Sequence, residues 1–302
     1  MIKMTSTEPG RISTETLIIP VCPDRDMYRS PAIRSLARQA LDFKTFQGEK
    51  GENLSLYQPA DIKAKRLLFV GLGSHSDLTP ERFRQAAGQG VRLSQHAGRG
   101  DAVLVVPDGD MGDDLVPEDL LAAMAEGALL SNHCPNHYKS EHKIQALKTI
   151  RLHTAATMAR KSQAALKRID AICRGTLQAR DWINQPANEK TPDQLARRMA
   201  QAARRHGVKA TILDEKKLQR LKMGALLAVG AGSAHPPRLL TLEYTPPKAR
   251  GTIALVGKGV TFDAGGLNMK PTGSIELMKI DMAGAAAVAA SVIAMAEIGA
   301  RQ

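Results

Sequence analysis

Aromatic residues are almost missing from this chain: five Phe, four Tyr and a single Trp, 3% of 302 residues. A core built with so few rings has to rest on Leu, Ile, Val, Ala and Met. Nowhere do rings interleave with basic groups as they do on a surface that stacks single-stranded nucleic acid. Cysteine is as scarce. Cys22, Cys134 and Cys173 lie far apart without a CxxC pair, which argues against a disulfide framework and a zinc ribbon, and the odd count fits a reducing compartment. Long apolar runs are lacking too. Met1 to Glu15 is polar, Leu17 to Val21 is too short for a signal peptide, and no run reads as long enough to span a membrane. The expectation is a cytoplasmic protein without membrane contact.

Charge of one sign, by contrast, is in excess. The net charge is +12, enough to attract nucleic acid or an acidic surface. The basic residues are scattered, however: Lys63, Lys65 and Arg66 in one place, Arg204 and Arg205 in another, Lys216, Lys217 and Arg220 in a third. No helix-turn-helix or zinc-finger spacing joins them. Solvated basic faces are the preferred reading, with nucleic acid kept as a second role. A hydrophobic share of 43% and a charged share of 24% are those of a globular protein, and the length suffices for two domains with separate cores.

Strand and helix signals alternate. Thr16 to Val21, Arg66 to Gly71, Ala102 to Val106 and Thr149 to His153 read as strands. Ser30-Pro31 and Thr79-Pro80 read as caps with proline at the first helical position, opening helices toward Phe43 and His96, and a third helix covers Pro117 to Leu130. Ala156 to about Ile183 reads as one long connecting helix. The loop signal Asn184 to Asn188 follows, then a capping box at Thr191-Pro192-Asp193-Gln194 whose helix ends near His206-Gly207. Beyond it come a strand over Val208 to Leu213, a helix capped by Asp214, an apolar run from Ala225 to Val229, and strands at Leu239 to Tyr244 and Thr252 to Val256. The expected architecture is α/β throughout: an N-terminal α/β domain over 1–155, a connecting helix over 156–184 and a C-terminal α/β domain over 185–302.

Chemistry concentrates near the end, in Val256-Gly257-Lys258-Gly259-Val260-Thr261-Phe262-Asp263-Ala264-Gly265-Gly266, followed by Lys270, Glu276, Lys279 and Asp281. Lysines and aspartates among glycines, placed after a buried strand, are what an open α/β sheet presents at its active edge. The segment is not a phosphate loop: Gly251 is one residue too far from Gly257, and Gly259 rather than a hydroxyl residue follows Lys258. Gly71-Leu72-Gly73 lacks the third glycine of a dinucleotide turn. Asp263 and Asp281, on successive loops, can hold a cation through oxygen. A lysine beside such a cation loses its proton more easily, so Lys258 can serve as a nitrogen ligand. Lys270, kept charged, suits stabilisation of an oxyanion. Surface ion pairs beside a glycine turn are the alternative. His133, Cys134 and His137 read as packing or surface residues, since Pro135 interrupts them and no carboxylate completes a ligand set.

The run VGKGVTFDAGGLNMKPTGSIELMKIDMAGAAAV resembles the active-site segment of the leucyl (cytosol) aminopeptidase family, di-metal exopeptidases active as hexamers. DWINQPANEKTPDQLA is similar to the stretch that opens that family's catalytic domain, and EGALLSNHCPNHYKS to a motif of its N-terminal domain. The resemblance implies that Lys258, Asp263 and Asp281 are metal ligands, with Asp263 bridging two divalent ions, zinc or manganese. It implies that Lys270 polarises the scissile carbonyl of a peptide and that Met278 lines the pocket for the first side chain. The family's NTDAEGR motif, which supplies two more acidic ligands and an arginine for bicarbonate, is not in this sequence, which ends at Gln302. The expectation is therefore a truncated catalytic domain, inactive on leucyl amides as it stands, or a non-catalytic relative acting as a structural or regulatory subunit. The helix from Ala283 to Ala300 is expected to show an uncovered apolar face.

Overall fold

A computed structural model describes residues 2–60, 62–96, 100–111 and 115–301. Met1 and Gln302, which bound the readings above, lie outside the described residues. The chain divides into two units, Met1–Cys173 and Arg174–Gln302.

In the first unit β1 (Lys3–Thr5) and β2 (Thr16–Val21) precede α1 (Pro31–Leu41), β3 (Asn53–Tyr57), β4 (Arg66–Gly71), α2 (Pro80–His96), β5 (Asp101–Val105), α3 (Pro117–Ser131), β6 (Thr149–His153) and α4 (Ala156–Lys161). The strand order is β1-β6-β5-β2-β4-β3. Every pairing is parallel except β3 with β4. β2 sits centrally, with Leu17 opposite Leu67 on one side and Val103 on the other. All six of its residues are buried, as are all six of β4. This is why both read as unbroken apolar runs: a parallel strand has no solvent face on which to alternate. Phe46, Phe69 and Phe83 fill the core with no exposed surface, and each fully buried Leu or Ile around them contributes about 2 kcal/mol. Arg66 is buried at the start of β4, its guanidinium donating to Ser55 Oγ and the Leu93 carbonyl and lying over the Tyr57 ring. It is a structural cation rather than part of a basic surface.

In the second unit α5 (Gln163–Asn184), whose first turns precede the boundary, leads to α6 (Pro192–Arg205), β7 (Lys209–Leu213), α7 (Glu215–Arg220), α8 (Gly224–Gly230), β8 (Leu239–Glu243) and α9 (Ala283–Ile298). β7 and β8 pair antiparallel. Gln194 Oε1 accepts the Thr191 backbone N–H at 3.0 Å, so the reciprocal arm of the capping box is present, and Asp214 caps α7 through the Lys217 N–H. Trp182, Leu195, Met199, Val208, Met282 and Ile293 belong to this unit's core.

Three expectations are corrected. Thr252 to Val256 is not a buried strand: it pairs with no strand among the described residues, and Ile253 and Val256 are 71% and 94% exposed. Apolar composition makes a strand only where a neighbour takes up its backbone hydrogen bonds. The helix expected over Ala156 to Ile183 is interrupted at Ser162, which closes α4 through its N–H to Met158 and opens α5 through its carbonyl to Leu166. α9 buries one face through Ala286, Ala289, Ala290 and Ile293, and its other apolar residues are exposed or half-buried, in keeping with an uncovered apolar face. Finally, a run long and apolar enough to cross a membrane by composition does exist, Ile275–Ile298, because a 3-10 turn over Ile275–Ile280 runs almost directly into α9. Two strands also went unforeseen, β1 and β3, both short and both at sheet edges.

Candidate metal centre

The loop that carries Lys258 is held by a close backbone approach. A Cβ on Gly257 would stand 2.4 Å from the Gly284 carbonyl oxygen, and one on Gly284 2.9 Å from the Lys258 nitrogen. Ala285 N–H donates to the Lys258 carbonyl at 2.8 Å. These small residues let the loop lie on the first turn of α9, directly after Asp281. Lys258 Nζ thereby reaches Asp281, 2.8 Å from Oδ1 and 2.7 Å from Oδ2. Both carboxylate oxygens therefore face the same ammonium: Oδ1 takes the hydrogen bond, and the buried Oδ2 is held in the ion pair.

A second turn returns the chain to Asp263. Gly265 has φ +93°, and a Cβ there would meet the Asn268 carbonyl oxygen at 2.5 Å, so only glycine fits. Gly265 N–H donates to Asp263 Oδ1 at 2.9 Å, and Lys270 N–H donates to the Ala264 carbonyl at 3.0 Å. Lys270 Nζ then lies 3.2 Å from Asp263 Oδ2. The backbone donor from Gly265, and after it Lys270, hold the Asp263 carboxyl below its ordinary value. Asp281 holds the Lys258 ammonium above the usual lysine value, with Asp263 adding to the attraction. The structure thus brings the two lysines and two aspartates together as two ion pairs linked electrostatically through Lys258.

Met278 lies half-buried in the 3-10 turn, its carbonyl accepting the Asp281 N–H at 3.3 Å. Glu276 is exposed on the same turn. His137 packs edge-on against the Tyr138 ring. No group of three or more His, Cys, Asp or Glu side chains among the described residues could hold a metal ion. A cation here would depend on the Lys258 nitrogen beside the two carboxylates. One nitrogen and two carboxylates suit zinc or manganese, and neutralising Lys258 would release the Asp281 oxygens that its ammonium now holds. The donors present fit part of a two-metal site, which ordinarily uses more carboxylates.

One residue of the region escaped the sequence reading. Lys190 has no exposed surface. Its Nζ donates to the carbonyls of Ile183 at 2.7 Å and Trp182 at 3.2 Å, the last turn of α5, and lies 3.6 Å from Met282 Sδ. Burial, and then the charge of Lys279, lower its pKa to about 8. A lysine just before a capping box reads as surface, and nothing in its neighbours announces otherwise.

Residues 177–302 match the model of the cytosol aminopeptidase family, catalytic domain, and residues 32–142 that of the same family's N-terminal domain. The chain belongs to the cytosol aminopeptidase family. A probable cytosol aminopeptidase of Acidobacterium capsulatum is 34% identical over 312 aligned positions, 97% of this chain and 61% of the relative. Another, from Geobacter sp., is 35% identical over 95% of this chain and 59% of its own length. This member therefore spans about three fifths of the length of those curated relatives. Among solved structures, a tomato leucine aminopeptidase variant superposes with a TM-score of 0.80 at 27% identity, covering all of this chain and 60% of the other. The bottromycin maturation enzyme BotP in complex with Mn gives 0.73 at 31% identity, over 97% of this chain and 57% of that one. The mixed α/β architecture is that of leucine aminopeptidase-like proteins.

Proposed function

We propose that the second unit carries part of the site of a di-metal aminopeptidase that releases N-terminal residues, leucine among them, from peptides. In this reading Lys258, Asp263 and Asp281 would hold divalent cations, and Lys270 would face the substrate carbonyl. Met278 borders the pocket for the first side chain. The observation that carries it is the convergence of Lys258 on Asp281 and of Lys270 on Asp263, from loops in which Gly257 and Gly265 leave no room for a side chain. Bound zinc or manganese would supply a water of lowered pKa and a seat for the free α-amine of the peptide.

The residues present then divide the work. Beside Asp281 alone Lys258 keeps its proton firmly, whereas cationic charge next to it favours the neutral amine and frees its lone pair. Asp263 stays ionised to low pH because Gly265 and Lys270 hold its charge. Lys270, its Nζ 3.2 Å from Asp263 Oδ2, would stand where the carbonyl oxygen becomes an oxyanion and stabilise it. A complete site of this kind adds an aspartate, a glutamate and a bicarbonate-holding arginine. The complete protein is read as a cytoplasmic homo-hexamer.

Manganese titration of the 302-residue chain, followed by electron paramagnetic resonance of free Mn2+, tests the assignment. Asp263→Ala should abolish binding and Glu276→Ala should leave it intact. Equal Mn2+ uptake by wild type and Asp263→Ala would sink the site.

A further inference from the structure

Nothing in the proposed chemistry uses Lys190, yet among the described residues it is the one lysine with no exposed surface. Its position explains why. The last carbonyls of a helix have no partner within the helix. Those of α5 are taken up by two lysines: Trp182 and Ile183 by Lys190, and Asn184 by Lys279 Nζ at 3.4 Å. The negative end of the helix dipole favours cations at this place. Lys279 stands two residues before Asp281, and Met282, which Lys190 touches, stands one residue after it. Met282 has no exposed surface and is the residue from which α9 starts. Asp281 is therefore held between two anchors fixed to the same helix end.

We propose that Lys190, seconded by Lys279, is a positioning residue that clamps the carboxyl end of α5 to the turn bearing Asp281 and so sets that carboxylate against Lys258. The proposal rests on Asp281 being a cation ligand for its functional meaning, though the clamp itself does not. Lys190 touches neither cation nor substrate. It acts through the backbone of the Lys279–Met282 turn, as outer partners of metal ligands do when they fix the ligands' orientation.

The test uses the full 302-residue chain with Lys190→Met, which keeps the buried stem and removes the ammonium, and Lys279→Met, which sits nearer the surface and leaves the core untouched. Hydrogen exchange read by mass spectrometry should accelerate roughly tenfold over residues 279–286 in Lys190→Met, and less in Lys279→Met, while α6 and β7 keep the wild-type rates. Mn2+ affinity should fall roughly tenfold or more in Lys190→Met. A merely structural lysine would loosen α6 and β7 together with 279–286, and that result overturns the proposal. Unchanged exchange over 279–286 in both variants overturns it as well. Should wild type take up no Mn2+, the metal-site reading fails, and the exchange arm still decides the clamp. If Lys190→Met does not fold, Lys279→Met alone decides it: faster exchange confined to 279–286 supports the clamp and wild-type exchange refutes it.

Discussion

Raising the pH from neutral should make the second unit more stable. Lys190 titrates near 8 in the folded chain against 10.5 for an ordinary lysine. Below about 8 both folded and unfolded chains carry the proton, and the folded state bears the full cost of a buried ammonium. Between about 8 and 10.5 the unfolded chain binds more protons, so stability rises with pH through that window. The full cost is about 3 kcal/mol, and about 2 kcal/mol of it is regained between about pH 7 and pH 9.5. The groups whose shifts would oppose this lie elsewhere. Asp263 and Asp193, both lowered, titrate in acid, and Lys258, raised by Asp281, loses its proton above the window. The assay is built into the sequence. Trp182 is the single tryptophan, is buried in the second unit's core, and offers its carbonyl to Lys190. Urea unfolding followed by its fluorescence reports this unit. Wild type should gain about 2 kcal/mol over that interval and Lys190→Met should gain almost nothing. At neutral pH the variant should lie within about 2 kcal/mol of wild type, because relief of the buried charge offsets two carbonyls left without a donor. A wild-type stability that is flat or falling over the interval would show that the α5 carbonyls compensate the charge fully, and the argument from desolvation would be wrong.

Three further outcomes can be checked. In a protein that binds metal, Lys258→Ala should lower Mn2+ affinity, whereas Lys270→Ala should leave affinity intact and depress turnover; equal loss of metal in both would undo the division of roles. Gly265→Ala should weaken Mn2+ binding more than Gly266→Ala. Both have positive φ, which costs about 1–2 kcal/mol for a side chain, but only at Gly265 would a Cβ also collide with a carbonyl oxygen, whereas Gly266 has open space around it. In the first unit, burial and the Asp24 carboxylate push the Cys22 thiol up to about 12, so iodoacetamide near pH 8 should modify the more exposed Cys134 first; fast labelling of Cys22 in the folded chain would contradict its packing.

What was legible in the sequence was whatever local chemistry decides. β2, β4 and β5 are near-continuous apolar runs because strands deep in a parallel sheet are buried on both faces, whereas β6 alternates, with Ile150 and Leu152 buried between half-buried Thr149, Arg151 and His153; proline at the first helical position marked α1, α2 and α6. What escaped depends on partners distant in sequence. β3 alternates weakly and becomes a strand only by lying antiparallel to β4, Asn53 against Val70. Thr252 to Val256 has a strand's composition and no pairing neighbour among the described residues. The site followed the same division. Glycines and charges at 257–281 could be picked out because a tight turn admits few residue types, and the structure brings Lys258 to Asp281 and Lys270 to Asp263 as separate pairs. Lys190 could not, because a lysine's burial is settled by what surrounds it. Here the surroundings are the end of α5 and the start of α9, 92 residues apart from Lys190 at Met282. On the proposed reading, the donor atoms come from short loops and their placement from helix ends. Substitutions at the α5 terminus should therefore alter metal affinity without altering a single candidate ligand.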